Sequence, residues 1–270
     1  WKARDSNRRI ADPAHWPVDL GPHLDAAHAA ELFARIDPAR ASRFRQDPDD
    51  DFERGERIGR GTTAFAVADA EGNMIAVTQT LSTWGGNFYV SRGLGFLYNN
   101  HLRSNRTSPG AYGQLLPLSR SSSTSVPTLV FRDAGGTTLQ GRLEPRLAVA
   151  AAGNAWITSS VYNIITNVVD SRLPAQRAIE APRFLIGRDP ADPEGTAARI
   201  QIEDRFPRAV LDDLQRRGHR FQKIGRKGEV RYGYAAAVTV DAGRVEGGAE
   251  PRRSHAAVAP KPVTTTAVPH

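Results

Sequence analysis

The stretch GRGTTAFAVADAEGNMIAVTQTL, residues 59–81, organises the rest of the chain. Two threonines follow Gly61 and open the alternating segment AFAVAD, and MIAVTQTL returns after the turn EGN. Two alternating segments separated by a glycine-containing turn predict an antiparallel β-hairpin. That pairing would set Thr62 at a sheet end beside Thr78 and Thr80. A hydroxyl nucleophile can be built at such a position.

The composition predicts a globular domain and excludes several kinds of site. The chain has 270 residues, 40% of them hydrophobic, which suffices for one large domain or two small ones. Cysteine is absent, so disulfides, thiolate metal sites and cysteine nucleophiles are excluded. The net charge of +7 is spread along the chain without basic runs, and no zinc-finger, helix-turn-helix or RNA-binding motif is present. We expect no nucleic-acid partner, no membrane span, no metal and no other cofactor.

The pattern upstream of the hairpin changes from helical to charged. Apolar residues between Leu24 and Ile36 recur on roughly one helical face, and Asp37-Pro38 ends the pattern. Residues 37–61 are highly charged and poor in apolar side chains, so we predict a flexible connection or processing loop. The chain starts at Trp1 without a signal-like sequence, which is typical of a processed product or fragment.

Downstream of the hairpin, strands precede helices and further strands follow. A polar, serine-rich loop spans residues 103–125, and residues 260–270 are expected to be a disordered tail. Strands are predicted in PTLVFRD, GGTTLQG, RLAVAAAG, RIQIED, RFQKI and YAAAVTVD, and helices from Trp156, in PAQRAIEAP, and between Pro207 and Gly218. This order predicts an α+β fold with helices layered on a largely antiparallel sheet.

One motif in the opening stretch has a competing interpretation. Residues 59–64, GRGTTA, fit the dinucleotide-binding fingerprint with alanine in the last place. That fingerprint requires a strand before it and a helix after it, whereas here a charged loop precedes and a strand follows. Dinucleotide binding is therefore disfavoured.

Thr62 has an unusual chemical option because it follows a glycine. If the Gly61–Thr62 bond is cut, Thr62 carries both a hydroxyl and a free α-amine, whose pKa of about 7.7–8.0 lets it accept the hydroxyl proton near neutrality. Gly61 would tolerate the strained backbone that attack on the upstream carbonyl requires. Taken alone, however, the two threonines read as ordinary strand residues.

A resemblance over most of the chain decides between these readings. Thr62-Thr63, AVADAEGN, VTQTL, GFLYNN, a serine-rich loop ending in PT, AAAGNAWITS, EAPRF and GGAEPRR follow one another in order. This series resembles the small subunit of gamma-glutamyltranspeptidases over about residues 62–253. Residues 1–61 resemble the end of the large subunit. We therefore expect a large-subunit-like segment (1–61), a small-subunit-like catalytic region (62–259) and the tail (260–270).

The resemblance implies a fold and a maturation step. The fold would be the N-terminal nucleophile hydrolase sandwich of four αββα layers, incomplete in this chain, with autocleavage between Gly61 and Thr62. A large-subunit segment of the same precursor would be its partner. The resemblance also implies a periplasmic or secreted protein, although a cytoplasmic one stays open.

Roles for several residues follow from their motif positions. The resemblance implies that Thr62 is the nucleophile and that Thr80 hydrogen-bonds near its amine. It implies an oxyanion hole at Gly153 and Asn154 and substrate-carboxylate contacts at Ser123 and Thr124. Independently, Gly153 and Asn154 precede the strongest predicted helix, where backbone N–H groups suit a developing oxyanion.

Departures from the family pattern affect the substrate side. Ser82 stands where the family has an asparagine that contacts the substrate amine, and Asn154 replaces a second glycine. The family's paired aspartate, which holds the substrate ammonium, is replaced by residues 101–104, HLRS. We keep Ser82, His101 and Ser104 as substrate-binding candidates.

Several side chains in this region have two readings each. Arg103 either attracts an anionic group or is simply solvated, and His101 is either an acid–base group or, as we favour, a surface side chain. Trp84, Phe88 and Tyr89 either line an acyl pocket or belong to the core, and we expect at least one of them in the core.

The sequence thus predicts an enzyme that acts on a small-molecule amide or γ-glutamyl-like substrate through an acyl-enzyme, with altered specificity. Two alternatives stay open. A true γ-glutamyl transferase or glutathione hydrolase would draw its missing acid from the large subunit. An uncleaved homologue would bind a ligand without catalysis.

Overall fold

The fold is that of a computed structural model, which describes residues 11–42, 61–121, 123–135, 143–188, 198–224, 233–253 and 255–259. The helices within these ranges are α1 Gly21–Leu24, α2 Ala26–Ala34, α3 Trp156–Val169, α4 Ala175–Glu180 and α5 Arg208–Arg216. The strands are β1 Thr62–Ala68, β2 Met74–Thr80, β3 Thr128–Asp133, β4 Leu143–Ala152, β5 Phe184–Arg188, β6 Ala198–Glu203, β7 Arg220–Ile224, β8 Tyr234–Asp241 and β9 Arg244–Gly248. They form a two-stranded, a four-stranded and a three-stranded sheet.

The predicted hairpin is confirmed. Strands β1 and β2 pair antiparallel from Thr62 opposite Thr80 to Ala68 opposite Met74. The Asp69 carboxylate accepts hydrogen bonds from the backbone and side-chain amides of Asn73, at 2.8 and 2.7 Å. These bonds hold the pKa of Asp69 below its ordinary value, and they close the turn.

The four-stranded sheet β3-β4-β8-β9 is antiparallel throughout and carries the main core. Leu147, Val149 and Ala151 of β4 pack with α3 and α4 on one face. Because strand side chains alternate, Ala148, Ala150 and Ala152 face the other way, where the hairpin lies across β4 and β8. All six are fully buried, and the alanines let the hairpin backbone approach β4 closely.

The third sheet departs from a purely antiparallel arrangement. Strands β5 and β6 are antiparallel, whereas β6 and β7 are parallel and are connected through α5. Strand β5 was not predicted, but the other pairings support the expected largely antiparallel α+β fold.

The four-stranded and three-stranded sheets are joined by a buried cluster of four charged side chains. This Arg–Glu cluster consists of Arg183, Glu203, Glu250 and Arg252. Glu250 contacts Arg183 and Arg252, each at 2.7 Å, and Arg252 also binds Glu203. Burial lowers the pKa of Arg183 to about 10, against the opposing charge of Glu250. Burial favours protonated Glu250, but the two arginines hold its pKa below the ordinary value.

The helix expected between Leu24 and Ile36 corresponds to α2, and the short helix α1, which was not predicted, precedes it. Leu32 is buried, but Leu24, Phe33 and Ile36 are 80%, 74% and 49% exposed. Most of the predicted apolar face is therefore uncovered in the described residues. The predictions for residues 43–60, GGTTLQG from residue 136 onward and the tail lie outside the described residues.

The longest helix that the structure describes, α3, has 14 residues and coincides with the predicted one. None of the described helices is long and apolar enough to cross a bilayer.

Candidate active site

Thr62 is the first residue of β1 and faces Thr80, the last residue of β2. The Thr62 hydroxyl donates to Thr80 Oγ1 at 2.8 Å, and the backbone N–H of Ser82 donates to the same oxygen at 2.8 Å. Thr80 therefore fixes the hydroxyl of Thr62 and the backbone of Ser82 together. The residues predicted as nucleophile, neighbour and substrate contact are side by side at one sheet end.

The hydrogen-bond pattern determines where the backbone of Thr62 points. Leu81 N–H donates to the carbonyl of Gly61 at 2.9 Å, so Thr62 and Thr80 form a non-hydrogen-bonded pair. In such a pair the side chains are close, and the residue's own N–H and C=O point away from the partner strand. The Gly61–Thr62 peptide is thus bonded at its carbonyl, while the Thr62 amide lies on the far side from β2.

Gly61 sits where no side chain fits. A Cβ built on Gly61 would lie 2.4 Å from the carbonyl oxygen of Thr83, which is backbone and cannot rotate away. The close approach of the chain before Thr62 to the loop after Thr80 therefore depends on glycine.

The turn between β4 and α3 requires an unusual backbone at two successive positions. Gly153 has φ +126° and Asn154 has φ +54°. The carbonyls of these two residues accept from Trp156 N and Ile157 N at 3.1 and 3.0 Å, which fixes the turn against the start of α3. Asparagine tolerates the left-handed region better than most residues, which gives a physical reason why it can stand in for glycine here.

The predicted carboxylate-binding pair lies against this turn. Thr124 Oγ1 donates to the Asn154 carbonyl at 3.2 Å, and Thr158 Oγ1 donates to the Thr124 carbonyl at 3.4 Å. Ser123 Oγ accepts from the Ser125 N–H at 3.0 Å. Ser123 and Thr124 are both exposed, so the structure brings this pair to the predicted oxyanion turn with its side chains accessible.

Asn100 fastens the substrate-side segment to the loop after β2. Its side chain donates to Thr83 Oγ1 at 2.7 Å and accepts from Thr83 N–H at 3.2 Å, while its backbone N–H donates to the Leu81 carbonyl at 3.1 Å. A single 3₁₀ turn, His101–Ser104, follows directly. The candidates His101 and Ser104 are thereby carried next to the loop that contains Ser82.

The side chains of this turn correct one expectation. His101 is partly buried and not a free surface side chain, and burial together with the charge of Arg103 lowers its pKa. Its imidazole is therefore neutral at pH 7. Arg103 is exposed, in line with the solvated reading.

The aromatic side chains after β2 correct another expectation. Trp84, Phe88 and Tyr89 are 70%, 68% and 59% exposed, so the prediction that at least one belongs to the core is wrong. Trp84 and Phe88 contact each other with ring centroids 5.8 Å apart. Since Gly85, Gly86 and neighbouring glycines shape this segment, its rings project outward from a turn-rich backbone.

Tyr234 belongs to the site, and sequence reasoning missed it. Its hydroxyl donates to the Thr62 carbonyl at 3.0 Å, although the two residues are 172 positions apart. Its ring is covered by Arg253, 4.8 Å from the centroid, and by the edge-on ring of His255 at 5.6 Å. The available signal was a hydroxyl-bearing aromatic at the head of an alanine-rich strand, which no short motif describes.

Sequence comparisons identify curated relatives of the chain. The chain is 29% identical over 210 residues to the Acylase ACY 1 proenzyme of Pseudomonas sp. (strain SE83), covering 78% of this chain and 33% of the relative. It is 27% identical over 205 residues to the glutathione hydrolase proenzyme of Bacillus subtilis (strain 168), covering 75% and 31%. The chain thus spans about a third of the length of these relatives.

Solved structures share the fold. The cephalosporin acylase from Bacillus halodurans superposes with a TM-score of 0.71 at 23% identity, over 94% of this chain and 42% of that one. The gamma-glutamyltranspeptidase from Pseudomonas nitroreducens complexed with L-DON gives a TM-score of 0.56 at 24% identity, over 74% of this chain and all of that one.

The family profile described as gamma-glutamyltranspeptidase matches residues 1–259, which include both threonines, the turn after β4 and Tyr234. A match of that extent is decisive for family membership. The chain belongs to the gamma-glutamyltranspeptidase family of N-terminal nucleophile hydrolases.

Proposed function

We propose that this chain contains the catalytic part of an amidohydrolase or acyltransferase whose nucleophile is Thr62, exposed by autocleavage of the Gly61–Thr62 bond. The observation that carries the proposal is the position of Thr62 at the head of β1, with its hydroxyl 2.8 Å from Thr80 Oγ1. The proenzyme names of the curated relatives support a maturation step.

In the proposed maturation, Thr62 Oγ attacks the carbonyl carbon of Gly61. The C–N bond breaks as the new C–O ester bond forms, and the proton moves from the hydroxyl to the Thr62 nitrogen. Water then hydrolyses the ester and leaves Thr62 with a free α-amine. The hydrogen bond from Leu81 N–H to the Gly61 carbonyl supports this route, since it stabilises negative charge on that oxygen.

In the proposed turnover, the Thr62 amine takes the hydroxyl proton as Oγ attacks the amide carbonyl of the substrate. The amine returns that proton to the leaving nitrogen, and water or a second amine resolves the acyl-ester. Gly153 and Asn154 would supply backbone N–H groups to the oxyanion. Their turn is held by α3, so its donors need little reorganisation as charge develops.

We further propose that the acyl group is one without an α-ammonium. No aspartate or glutamate occurs from residue 72 to residue 132, the part of the chain that includes Ser82, the 101–104 turn and Ser123-Thr124. A desolvated ammonium without a carboxylate partner loses several kcal/mol of binding. The relatives do not separate the possibilities, because they are named both as acylases and as glutathione hydrolases.

The maturation proposal is tested on the product of the complete gene. Intact-mass measurement is expected to show two polypeptides with a new N-terminus at Thr62, whereas Thr62→Ala is expected to stay one chain without amidase activity. A wild-type chain that stays intact, or a Thr62→Ala variant that keeps its activity, contradicts the mechanism. An intact, inactive wild type would instead favour the non-catalytic binding homologue.

The specificity proposal is tested with matched anilides. Glutaryl-p-nitroanilide differs from γ-glutamyl-p-nitroanilide only in lacking the α-amine, so the ratio of the two kcat/KM values isolates the ammonium. We expect glutaryl-p-nitroanilide to have the higher value. A preference of tenfold or more for the γ-glutamyl compound would indicate that another segment supplies the acid. Tenfold corresponds to a difference in activation free energy on the order of 1.4 kcal/mol.

A further inference from the structure

We propose that Tyr234 is a positioning residue for the nucleophile, holding the Thr62 carbonyl after autocleavage has freed the Thr62 nitrogen. The inference rests on the proposed function of Thr62. It adds a residue 172 positions away whose hydroxyl contacts the backbone carbonyl of the proposed nucleophile.

The direction of the Thr62 carbonyl makes this contact necessary. Because Thr62 and Thr80 form a non-hydrogen-bonded pair, β2 cannot bind the carbonyl of Thr62. The hydroxyl of Tyr234 reaches it from the four-stranded sheet at 3.0 Å. Tyr234 is partly buried there, where an unbonded carbonyl would be costly.

The location of Tyr234 ties the nucleophile to the oxyanion turn. Tyr234 is the first residue of β8 and pairs with Ala152, the last residue of β4 before Gly153. A second link joins the other strand of the hairpin to β4, since Thr78 Oγ1 donates to the Ala151 carbonyl at 3.1 Å. Two hydrogen bonds between the hairpin and β4–β8 therefore help to restrain the proposed nucleophile relative to the proposed oxyanion turn.

The ring of Tyr234 is itself restrained. Arg253 lies over one face and His255 meets it edge-on. Arg253 follows Arg252, whose guanidinium is fixed in the buried Arg–Glu cluster. The hydroxyl is thus held from a rigid part of the molecule.

Cleavage changes the number of restraints on Thr62. In the intact chain, the Gly61 carbonyl bonded to Leu81 N–H also holds Thr62 from its N-terminal side. Once the peptide bond is cut, Gly61 no longer restrains Thr62, and Thr62 keeps its hydrogen bonds to Thr80 and Tyr234. Loss of the Tyr234 hydroxyl is therefore expected to affect turnover more than maturation.

The experiment uses Tyr234→Phe in the complete gene product, which removes the hydroxyl and keeps the ring against Arg253 and His255. The matched control is Tyr162→Phe, on an exposed tyrosine of α3. We measure the rate of Gly61–Thr62 cleavage, thermal unfolding, and kcat and KM on the preferred anilide. We expect kcat to fall by about tenfold with KM within about twofold, and cleavage to slow less than about threefold.

Each outcome is decisive. A Tyr234→Phe enzyme whose kcat stays within twofold of wild type overturns the inference while leaving the role of Thr62 intact. The inference is also overturned if Tyr162→Phe lowers kcat by the same factor. The same holds if Tyr234→Phe loses thermal stability in proportion to its kcat, or if it slows cleavage as much as it lowers kcat. If the wild type neither cleaves nor turns over amides, the proposed function fails, and this inference fails with it.

Discussion

The two sides of the candidate site are built from different kinds of structure. The turn at Gly153 and Asn154 joins β4, whose residues 147–152 are fully buried, to α3. The segment after β2 consists of turns, with Trp84 and Phe88 more than two-thirds exposed. The proposed reacting groups thus lie on the core, whereas the proposed substrate contacts lie on loops, which can vary without disturbing the core.

The largest effect is expected from breaking the core side. Glu250→Gln keeps the size of the side chain but leaves Arg183 and Arg252 without their shared counter-charge in the Arg–Glu cluster. Removing one partner from a buried ionic group typically costs about 3–5 kcal/mol. We expect a loss of that size in the free energy of unfolding, measured by chemical denaturation.

The control for this variant is Glu144→Gln, which removes the partner of Arg132 on the surface, where the two side chains are 48% and 59% exposed. An exposed pair contributes about 0–1 kcal/mol. Equal losses for the two variants would show that the Arg–Glu cluster does not stabilise the scaffold.

The next effect concerns the turn itself. Gly153→Ala places a side chain at φ +126°, and such backbone costs on the order of 1–3 kcal/mol for a non-glycine residue. We expect activity on amides to fall at least tenfold, because the donors of the turn would shift. Asn154→Gly, at φ +54°, is expected to keep activity within about threefold. Similar losses for both variants would contradict a backbone role.

The loop side is expected to show the opposite behaviour. Trp84→Ala should change the free energy of unfolding by less than about 0.5 kcal/mol, since the ring is 70% exposed. If the ring contacts the acyl group, KM for an acyl anilide rises by about threefold or more. The comparison variant is Val258→Ala, on another exposed apolar side chain. Destabilisation by more than about 1 kcal/mol would place Trp84 in a packed interface instead.

The smallest effect concerns Asp12, which joins the N-terminal segment to the serine-rich loop. Its carboxylate accepts from Arg120 N–H at 2.6 Å and from Ala14 N–H at 3.0 Å, and these bonds hold its pKa below 3.8. A depressed pKa means that the stabilisation is present above about pH 3.8 and is lost as the pH falls through the lower, folded value.

Carboxyl carbon NMR titration measures this directly. Asp12 is expected to titrate below 3.8, the ordinary value for an aspartate. Asp12→Asn should remove the part of the free energy of unfolding that the wild type loses as the pH falls through the pKa of Asp12. A midpoint for Asp12 at or above 3.8 would contradict the contact.

Local patterns predicted the hairpin and α3 well, because each has a clear periodicity over at least seven residues. Strand β5 was missed because its sequence, FLIGR, does not alternate: three consecutive apolar residues are followed by a glycine. The exposure of Trp84 could not be predicted, because an aromatic, glycine-rich segment reads alike whether it is covered or not. Tyr234 was missed because its role depends on a contact across 172 residues.

The site residues divide in the same way. Thr62 and Thr80 were paired correctly in space because hairpin register follows from the turn. The glycine-to-asparagine replacement at Asn154 looked like a departure in the sequence, but its backbone conformation supplies a steric reason for it. The buried charges in EAPRF and GGAEPRR carried no visible sign of their partnership, since ion pairing between distant segments leaves no local period.

Under the proposed cleavage, the requirement for glycine at position 61 applies to the precursor and not to the cleaved enzyme. Any side chain at position 61 would clash with the Thr83 carbonyl, but Gly61 lies before the proposed cleavage point and would no longer be bonded to Thr62 after cleavage. Substitutions at Gly61 are therefore expected to impair maturation of the precursor and to leave turnover by the cleaved enzyme unchanged. If the residues before and after the proposed cleavage point were produced as two separate polypeptides and then combined, substitutions at Gly61 would not be expected to change the activity.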